Sequence, residues 1–213
     1  MDISRQSTEL PEENERGPRA RTRRLMLKTA IRLMQAGLTP SVSDVAEAAG
    51  VSRATAYRYF PSQAALVDAV VDEALGPILK WKDRSPDAGE RIESLFRTSL
   101  PRLDEFEATF KAALKLSLDQ WAQRKSGAPE GEPQFMRGHR VELLRNALEP
   151  LRAQLPGEEF DRLTQALSLI FGIEALVVLK DIWGLDSKES EKVATWAALE
   201  LVRATMRHKN KEG

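Results

Sequence analysis

The spacing of apolar residues restricts the fold of this chain more than any other feature of its sequence. In every long periodic stretch from residue 19 onward, apolar residues recur at the three- and four-residue intervals that form one face of an α-helix. No segment shows the strict alternation of apolar and polar residues that a half-buried β-strand needs. We therefore predict an all-α fold.

Four helices are predicted near the N-terminus, because glycine or proline interrupts the helical pattern there at short intervals. A serine stands before the second, third and fourth helices, where its hydroxyl can accept a hydrogen bond from the first helical turn. The fourth helix should run from residue 63 to about 82. The interruptions are Gly37, Pro40, Gly50 and Pro61, and the capping serines are Ser41, Ser52 and Ser62.

Longer helices are predicted in the rest of the chain. The segment 125–134 (KSGAPEGEPQ) is rich in glycine and proline, so we expect it to form a flexible loop. Pro101 and Pro150 should interrupt the helices locally, and Pro156 with Gly157 should separate two of them. The expected helices lie near 89–100, 103–124, 134–154, 158–183 and 187–208.

Charge is distributed unevenly, although 32 basic residues balance 32 acidic ones over the whole chain. Residues 16–60 hold nine basic and two acidic residues, a local charge of +7, whereas residues 1–15 carry −4. A basic module on a mildly acidic body is typical of a protein that binds nucleic acid. On charge alone, a solvated basic helix is an equally good interpretation.

Several classes of function are excluded by the residue types that the chain lacks. With no cysteine and only His139 and His208, it offers no thiolate nucleophile and no cluster of imidazole ligands. We therefore predict no catalytic residue, no metal site and no cofactor. The chain has no run of 18 uncharged apolar residues and starts with an acidic, polar segment, so we expect a cytoplasmic protein without a membrane partner.

Small residues indicate a helix-turn-helix between residues 41 and 60, because a glycine follows an alanine by four residues and a second alanine follows that glycine by six. Ala46, Gly50 and Ala56 stand where two helices must approach closely at a steep angle. In this motif the second helix enters the major groove of DNA. Here that helix would carry Arg53 and Thr55 toward the bases, and Tyr57, Arg58 and Tyr59 toward phosphates. The alternative is that the two tyrosines pack the small domain.

Residues 21–66 resemble the DNA-binding domain of the TetR family of transcriptional regulators. The resemblance covers less than a quarter of the chain. The residues that carry it are Ala30, Gly37, Ser41, Val42, Asp44, Val45, Ala46, Ala49, Gly50, Val51, Ser52, Thr55, Tyr57, Arg58, Tyr59, Phe60, Pro61, Ser62 and Leu66.

The resemblance implies an N-terminal three-helix DNA-binding domain and a C-terminal helical domain that binds a small molecule and dimerises through its last two helices. We accordingly divide the chain into a tail, 1–18, a DNA-binding domain, 19–65, and a regulatory domain, 66–213. Gln63 stands where the family commonly has a lysine that contacts phosphate. The residues expected to contact DNA are Arg23, Ser41, Ser43, Ser52, Arg53, Ala54, Thr55, Tyr57, Arg58, Tyr59 and Gln63.

Apolar residues near the C-terminus exceed what one neighbouring helix can cover. The segment 158–183 is apolar nearly all round from residue 166, and the last helix has two apolar stripes. We predict that these helices form a dimer interface, with a larger monomer core as the alternative. The expected interface residues are Phe171, Leu176, Leu179, Trp183, Val193, Trp196, Leu199 and Val202.

An aromatic-rich interior between the fourth helix and these last helices could enclose an effector pocket or form a plain core. Arg137, His139 and Arg140 could receive an anionic effector or form a solvated face. Glu174 could be a paired carboxylate or a hydrogen-bonding group of the pocket. The predicted pocket residues are Trp81, Phe106, Phe110, Leu114, Trp121, His139 and Glu174.

These features predict a homodimeric protein that binds a palindromic double-stranded DNA operator. That it is a repressor, released by an unknown small-molecule effector, is what the resemblance to the TetR family implies. An enzymatic function is the alternative from another class, and the sequence shows no nucleophile with a base and no carboxylate–histidine cluster to support it. A helical protein–protein adaptor, or a small-molecule-binding protein without DNA recognition, remains the alternative. An adaptor would keep its binding without Arg53 and Tyr57.

Overall fold

The computed structural model describes residues 17–127, 133, 135 and 138–212, and the side chains among them up to residue 207. The predicted N-terminal tail lies outside the described residues except for its last two, and Pro18 already belongs to the first helix. Arg137 and the side chain of His208 also lie outside the described part. Every regular element described is helical. The prediction of an all-α fold is confirmed.

Ten α-helices make up the described chain, joined by short turns. Two 3₁₀ turns, Gly76–Lys80 and Glu149–Leu151, follow the fourth and seventh helices, and a π-helical turn, Val177–Ile182, follows the ninth. The helices are α1 Pro18–Gln35, α2 Val42–Ala48, α3 Arg53–Tyr59, α4 Gln63–Leu75, α5 Ala88–Glu105, α6 Glu107–Lys125, α7 His139–Ala147, α8 Gly157–Ile170, α9 Ile173–Leu176 and α10 Ser187–Glu212.

Side-chain caps determine where the short N-terminal helices begin. The backbone N–H of Ser41 donates to the Asp44 carboxylate at 2.8 Å, and the N–H of Asp44 donates back to the Ser41 hydroxyl at 3.2 Å. This reciprocal pair satisfies two of the N–H groups that a helix start leaves without partners. Ser52 caps α3 by accepting from the N–H of Thr55, and Ser62 caps α4 in the same way.

The helices α1 to α3, which we call the head, share their hydrophobic core with the rest of the chain. Met26, Met34 and Ala46 are fully buried at its centre. Residues of α4 and α6 complete this core, and those of α6 are Ala112, Ala113 and Leu116. The head therefore rests on α4, which continues the chain, and also on α6, which is distant in sequence.

The second core lies in the helices α5 to α10, which we call the body. Fully buried Phe96 contacts Phe171 with ring centroids 5.0 Å apart. The amphipathic helix α5 packs along α10, and α8 lies beside both α10 and α7. These helices form one continuous apolar interior that extends into the end of α4 at Ala74 and Leu75.

Several helix limits differ from the sequence prediction; among them, the helix predicted near 134–154 ends at Ala147. Helix α4 ends at Leu75 and not near 82, because Gly76 has a φ of +47° and Pro77 follows it. Pro101 does not interrupt α5. Its ring lies on the exposed side of the helix, where the carbonyl that loses its N–H partner can face water.

The predicted helix over 158–183 is bent by 49° where α8 gives way to α9. Gly172 at this bend has a φ of +143°, a conformation that L side chains rarely adopt. In the described part of the chain no single helix is long and apolar enough to cross a membrane, and only this bent pair has the necessary length and composition.

Candidate nucleic-acid interface and ligand cavity

Helix α3 turns most of its side chains toward solvent. Of its seven residues only Ala56 is buried, and this small side chain lets α3 pack closely on α2. Arg53, Ala54 and Arg58 are exposed. Thr55 is half-buried, and its hydroxyl accepts a 2.9 Å hydrogen bond from Ser52. The exposed face of α3 therefore carries two cations and no carboxylate.

The two tyrosines of α3 have different surroundings. Tyr57 is 43% exposed, and its hydroxyl lies 3.4 Å from the hydroxyl of Ser43 at the start of α2. Tyr59 is half-buried against the head core, with the guanidinium of Arg58 5.7 Å from its ring centroid. Tyr59 thus contributes to packing, whereas Tyr57 lies at the surface that α2 and α3 share.

Arg23 of α1 extends the cationic surface beside α3. Its guanidinium lies 5.6 Å from the ring centroid of Phe60, the residue that ends α3. At the opposite end, hydrogen bonds from the backbone and side chain of Ser41 lower the pKa of Asp44. That carboxylate is therefore committed to capping α2, and Ser41 is half-buried.

Gln63 forms hydrogen bonds within the head. Its side-chain NH₂ group donates to the carbonyl oxygens of Thr39 at 3.2 Å and Pro40 at 3.0 Å. These bonds hold the turn between α1 and α2 against the start of α4. In this conformation the amide supports the head internally, and the phosphate contact through Gln63 stays a prediction.

Residues 26–70 match the family model described as bacterial regulatory proteins, tetR family. They comprise most of α1, all of α2 and α3, and the first half of α4. The match supports a relationship to TetR-family transcriptional regulators in this N-terminal region, and the body lies outside it.

The fold of the chain is also found in solved structures. A TetR transcriptional regulator from Rhodococcus sp. RHA1 has 21% sequence identity and a TM-score of 0.58, over 87% of this chain and 97% of that one. A tetR-family transcriptional regulator from Streptomyces coelicolor has 18% identity and a TM-score of 0.59, over 91% and 84% of the two chains. No curated protein gave a significant sequence match.

A cavity of about 90 Å³ lies in the body of the protein, next to the head. This volume accommodates several water molecules or a small organic group. The lining is mainly apolar, and its polar side chains come from α5 and the start of α7. The lining residues are Val71, Leu75, Ile78, Ser99, Leu103, Phe110, Ala113, Phe135, Gly138, His139, Arg140, Leu143, Phe171, Gly172 and Ile173.

Two of the predicted pocket residues, Phe110 and His139, line this cavity. Glu174 does not line the cavity, but its carboxylate forms an ion pair with Arg140, which does. The other predicted residues lie outside this lining, because aromatic residues at helical spacing do not reveal which of them border an unfilled volume. Trp81 is buried in the body core, Phe106 and Leu114 pack against that core, and Trp121 is 55% exposed on α6.

Arg140 joins α7 to the bend between α8 and α9. Its guanidinium donates to the Glu174 carboxylate at 2.6 Å and to the carbonyl of Ser168 at 3.1 Å. A Cβ on Gly172 would lie 2.9 Å from the same guanidinium, so the bend needs glycine for space as well as for its φ. Of the two interpretations left open for Glu174, the structure shows a paired carboxylate.

His139 joins α7 to α4. Its Nε2 lies 2.8 Å from the Asp72 carboxylate, and this hydrogen bond raises the pKa of His139. One turn earlier on α4, burial together with the neighbouring charge of Asp72 raises the pKa of Asp68 to about 6. Two carboxylates of α4 and one imidazole of α7 therefore form a coupled ionisable cluster at the edge of the cavity.

Two residues belong to the cavity wall and to the head core at once. Ala113 of α6 and Phe135 both line the cavity and pack in the core of the head. The backbone N–H of Phe135 donates to the side chain of Gln120 at 2.9 Å, and Gln120 also donates to the carbonyl of Pro133. The segment with Phe135 is thus attached to α6, which contacts α1.

The predicted dimer residues fall into two groups. Phe171, Leu176 and Val202 are buried within the protomer, and Leu179 and Leu199 are half-buried against its core, so these five complete the core of a single chain. Trp183, Val193 and Trp196 are exposed. Sequence reasoning missed the exposed Leu169 and Ile182, because the bend at Gly172 decides which side of this apolar segment faces outward.

Proposed function

We propose that this regulator is a cytoplasmic homodimeric repressor that binds a palindromic operator and is released by a small-molecule effector. The observation that carries the proposal is the exposed face of α3, with Arg53, Tyr57 and Arg58 at its surface. A short, capped helix whose polar face is open to solvent fits the major groove of DNA.

Within this interface the residues have separate tasks. Arg53, near the N-terminus of α3, is placed to donate two hydrogen bonds to a guanine, and Thr55 reaches the adjoining base edge. Arg58, Tyr57, Tyr59 and the exposed Arg23 contribute charge or hydrogen bonds to phosphates. Ser41, Ser43, Ser52 and Ala54 lie at the helix starts, where their backbone can approach the sugar–phosphate chain.

Dimerisation is supported by the large apolar side chains on the outside of the body. Trp183 is 73% and Trp196 is 65% exposed, and Leu169 and Ile182 are exposed as well. A monomer that leaves such side chains in water loses the favourable free energy of burying them, which a twofold partner surface would recover. Two heads related by a twofold axis require half-sites about 34–36 Å apart, or a multiple of this distance.

Release by an effector is supported by the position of the cavity. It is bordered by Val71 and Leu75 of α4, which carries the chain from head to body, and by Ala113 of α6, which packs on the head. A ligand that favours a different arrangement of α4 or α6 would change the spacing of the two heads. Its effect on DNA affinity is limited by its differential affinity for the two arrangements.

Footprinting on the DNA that flanks the gene for this protein tests the proposal. We expect protection of a palindromic site, and a logarithm of affinity that falls linearly with the logarithm of salt concentration. The variants Arg53→Ala and Tyr57→Ala should lose the footprint, and Arg97→Ala, an exposed arginine of α5, should keep it. Binding to a protein partner that survives in both head variants, without any footprint, would favour the adaptor.

A further inference from the structure

The polar side chains that line the cavity are all able to donate hydrogen bonds. Ser99, His139 and Arg140 are these side chains, and in the described lining there is no carboxylate or amide group. The remaining lining is apolar or glycine. A ligand that satisfies such a cavity must combine an apolar body with hydrogen-bond acceptors.

Ser99 supplies an independent indication that a polar ligand atom belongs in the cavity. Its side chain is fully buried, and its hydroxyl has no hydrogen-bond partner in the described structure. Thr98 and Thr164, also within helices, donate to the carbonyl four residues earlier, each at 2.8 Å, whereas the unpartnered hydroxyls of Thr109 and Ser190 do not line the cavity. An unpartnered buried hydroxyl is unfavourable, and a ligand acceptor next to Ser99 would relieve this cost.

The other two polar groups carry positive charge. The ion pair with Asp72 favours the charged imidazolium of His139 and raises its pKa, while Arg140 is always charged. Asp72 and Glu174, which pair with these cations, lie outside the lining. Arg140 uses two of its five N–H donors in the bonds described above, so it can donate to a ligand without giving up Glu174.

Carboxylates behind the lining moderate this positive charge. Asp68, Asp72 and Glu142 surround His139, and Glu174 neutralises Arg140. The cavity therefore suits a single negative charge, spread over two acceptor oxygens, better than a multiply charged phosphate. A cationic ligand would meet the two positive groups directly.

From these observations we propose that the effector is a small organic monocarboxylate, with its carboxylate at His139 and Arg140 and its apolar body against Leu103, Phe110 and Phe171. The inference rests on the proposed function, since it names the chemical class of the molecule that releases DNA. Hydrogen bonding by Ser99 to a ligand oxygen adds selectivity for an oxygen-bearing compound over a plain hydrocarbon.

Calorimetric titration of the full-length protein with matched compounds tests the inference. Benzoate, benzamide and benzylamine share a ring and differ in charge, and hexanoate with hexanamide and hexylamine forms an aliphatic set. We expect at least one carboxylate to bind with a dissociation constant of about 1 mM or below, and its amide and amine to bind at least about tenfold more weakly. The bound carboxylate should also weaken the footprint.

Two variants and two controls locate the binding. Ser99→Ala should weaken carboxylate binding about three- to tenfold and Arg140→Gln more than about tenfold. Thr98→Ala on the exposed side of α5 and Arg145→Gln on the exposed side of α7 should leave it unchanged. If Arg140→Gln fails to fold because the α8–α9 bend is lost, Ser99→Ala still provides the test.

Three results would overturn the inference. They are equal binding of the amide or amine, the absence of binding by both carboxylates up to about 10 mM, and carboxylate binding that neither variant changes. Because calorimetry needs no DNA, its outcome is separate from that of the footprint. A protein that binds carboxylates without binding DNA would contradict the proposed function and leave this inference standing.

Discussion

Nε2 of His139 lies 2.8 Å from Oδ1 of Asp72, so a residue of the cavity wall is paired with a residue of the helix that connects the head to the body. A carboxylate that binds at His139 must share the imidazole with Asp72. The pair therefore offers a direct route by which a ligand changes the position of α4.

Asp72→Asn should make the DNA affinity less sensitive to a carboxylate effector. Removing the charge weakens the ion pair that attaches α4 to α7, and this ion pair is the contact that the effector would perturb. We therefore expect the change in operator affinity caused by the effector to be about three- to tenfold smaller. Fluorescence anisotropy of labelled operator, with and without effector, measures this. Glu73→Gln, the exposed neighbour on α4, is the control and should respond as the unmodified protein does. An undiminished response in Asp72→Asn would contradict the coupling.

Asp68 should reduce stability at neutral pH. Its folded-state pKa is raised from 3.8 to about 6 by burial and by Asp72, so the folded protein holds this proton more tightly than the unfolded chain does. The free energy of unfolding should therefore rise as pH falls from about 7 to about 4, through the window between the two pKa values.

Asp68→Asn isolates this contribution. The variant should be more stable than the unmodified protein at pH 8, where Asp68 is ionised, and the difference should shrink at pH 5, where the carboxyl is mostly protonated. Urea unfolding at the two pH values measures both midpoints. The His139 ion pair follows the same direction, because a raised histidine pKa adds stability at low pH that is lost as pH rises through it. A stability difference between the variant and the unmodified protein that is larger at pH 5 than at pH 8 would show that the pKa of Asp68 is not raised.

Arg53→Ala should relax sequence preference at one operator position. A bidentate contact to guanine contributes about 1–3 kcal/mol of discrimination, so the variant should lose that amount on the operator and almost nothing on unrelated DNA. Tyr59→Phe should weaken binding to all sequences to a similar extent, since phosphate contacts carry no base information. Competition with operators substituted base by base distinguishes the two. Equal losses on every sequence for Arg53→Ala would refute a role in base readout.

Trp196→Arg should produce a folded monomer. The indole is 65% exposed on the outside of α10, so the substitution does not disturb the protomer core but places a charge in the proposed dimer interface. Light scattering coupled to size exclusion, at micromolar concentration, measures the mass. The control is Leu118→Arg, which alters an exposed apolar residue of α6, a helix that supplies none of the predicted interface residues, and should leave the dimer intact. A dimer that persists in Trp196→Arg would place the interface elsewhere.

The local structure of the head could be predicted from sequence because its determinants are close together along the chain. Ser41 and Asp44 are three residues apart, and their reciprocal hydrogen bonds form within the helix start that they define. Ala56 and Gly50 act through their small size and backbone freedom, which do not depend on distant partners. The same short-range signals supported the family resemblance and the identification of α3.

The surroundings of the body residues could not be predicted in this way. Phe171 and Trp183 belong to the same apolar segment, yet the first is buried in the protomer and the second is 73% exposed. The bend at Gly172 separates their environments, and it depends on Arg140, more than 30 residues earlier in the chain, lying against the glycine. Gln63 is a similar case, since its amide bonds to carbonyls that only the packing of α1, α2 and α4 brings near.

Sequence by itself determined the helical class, the position and caps of the head helices, and the concentration of positive charge around them, because periodicity, capping and local charge act over a few residues. Tertiary structure alone decided which aromatic residues border the cavity, which apolar residues face outward, and that His139 pairs with Asp72 of α4. These properties depend on how helices far apart in the chain pack together. Packing arranges side chains of similar character into buried, lining or exposed positions that their order along the chain does not reveal.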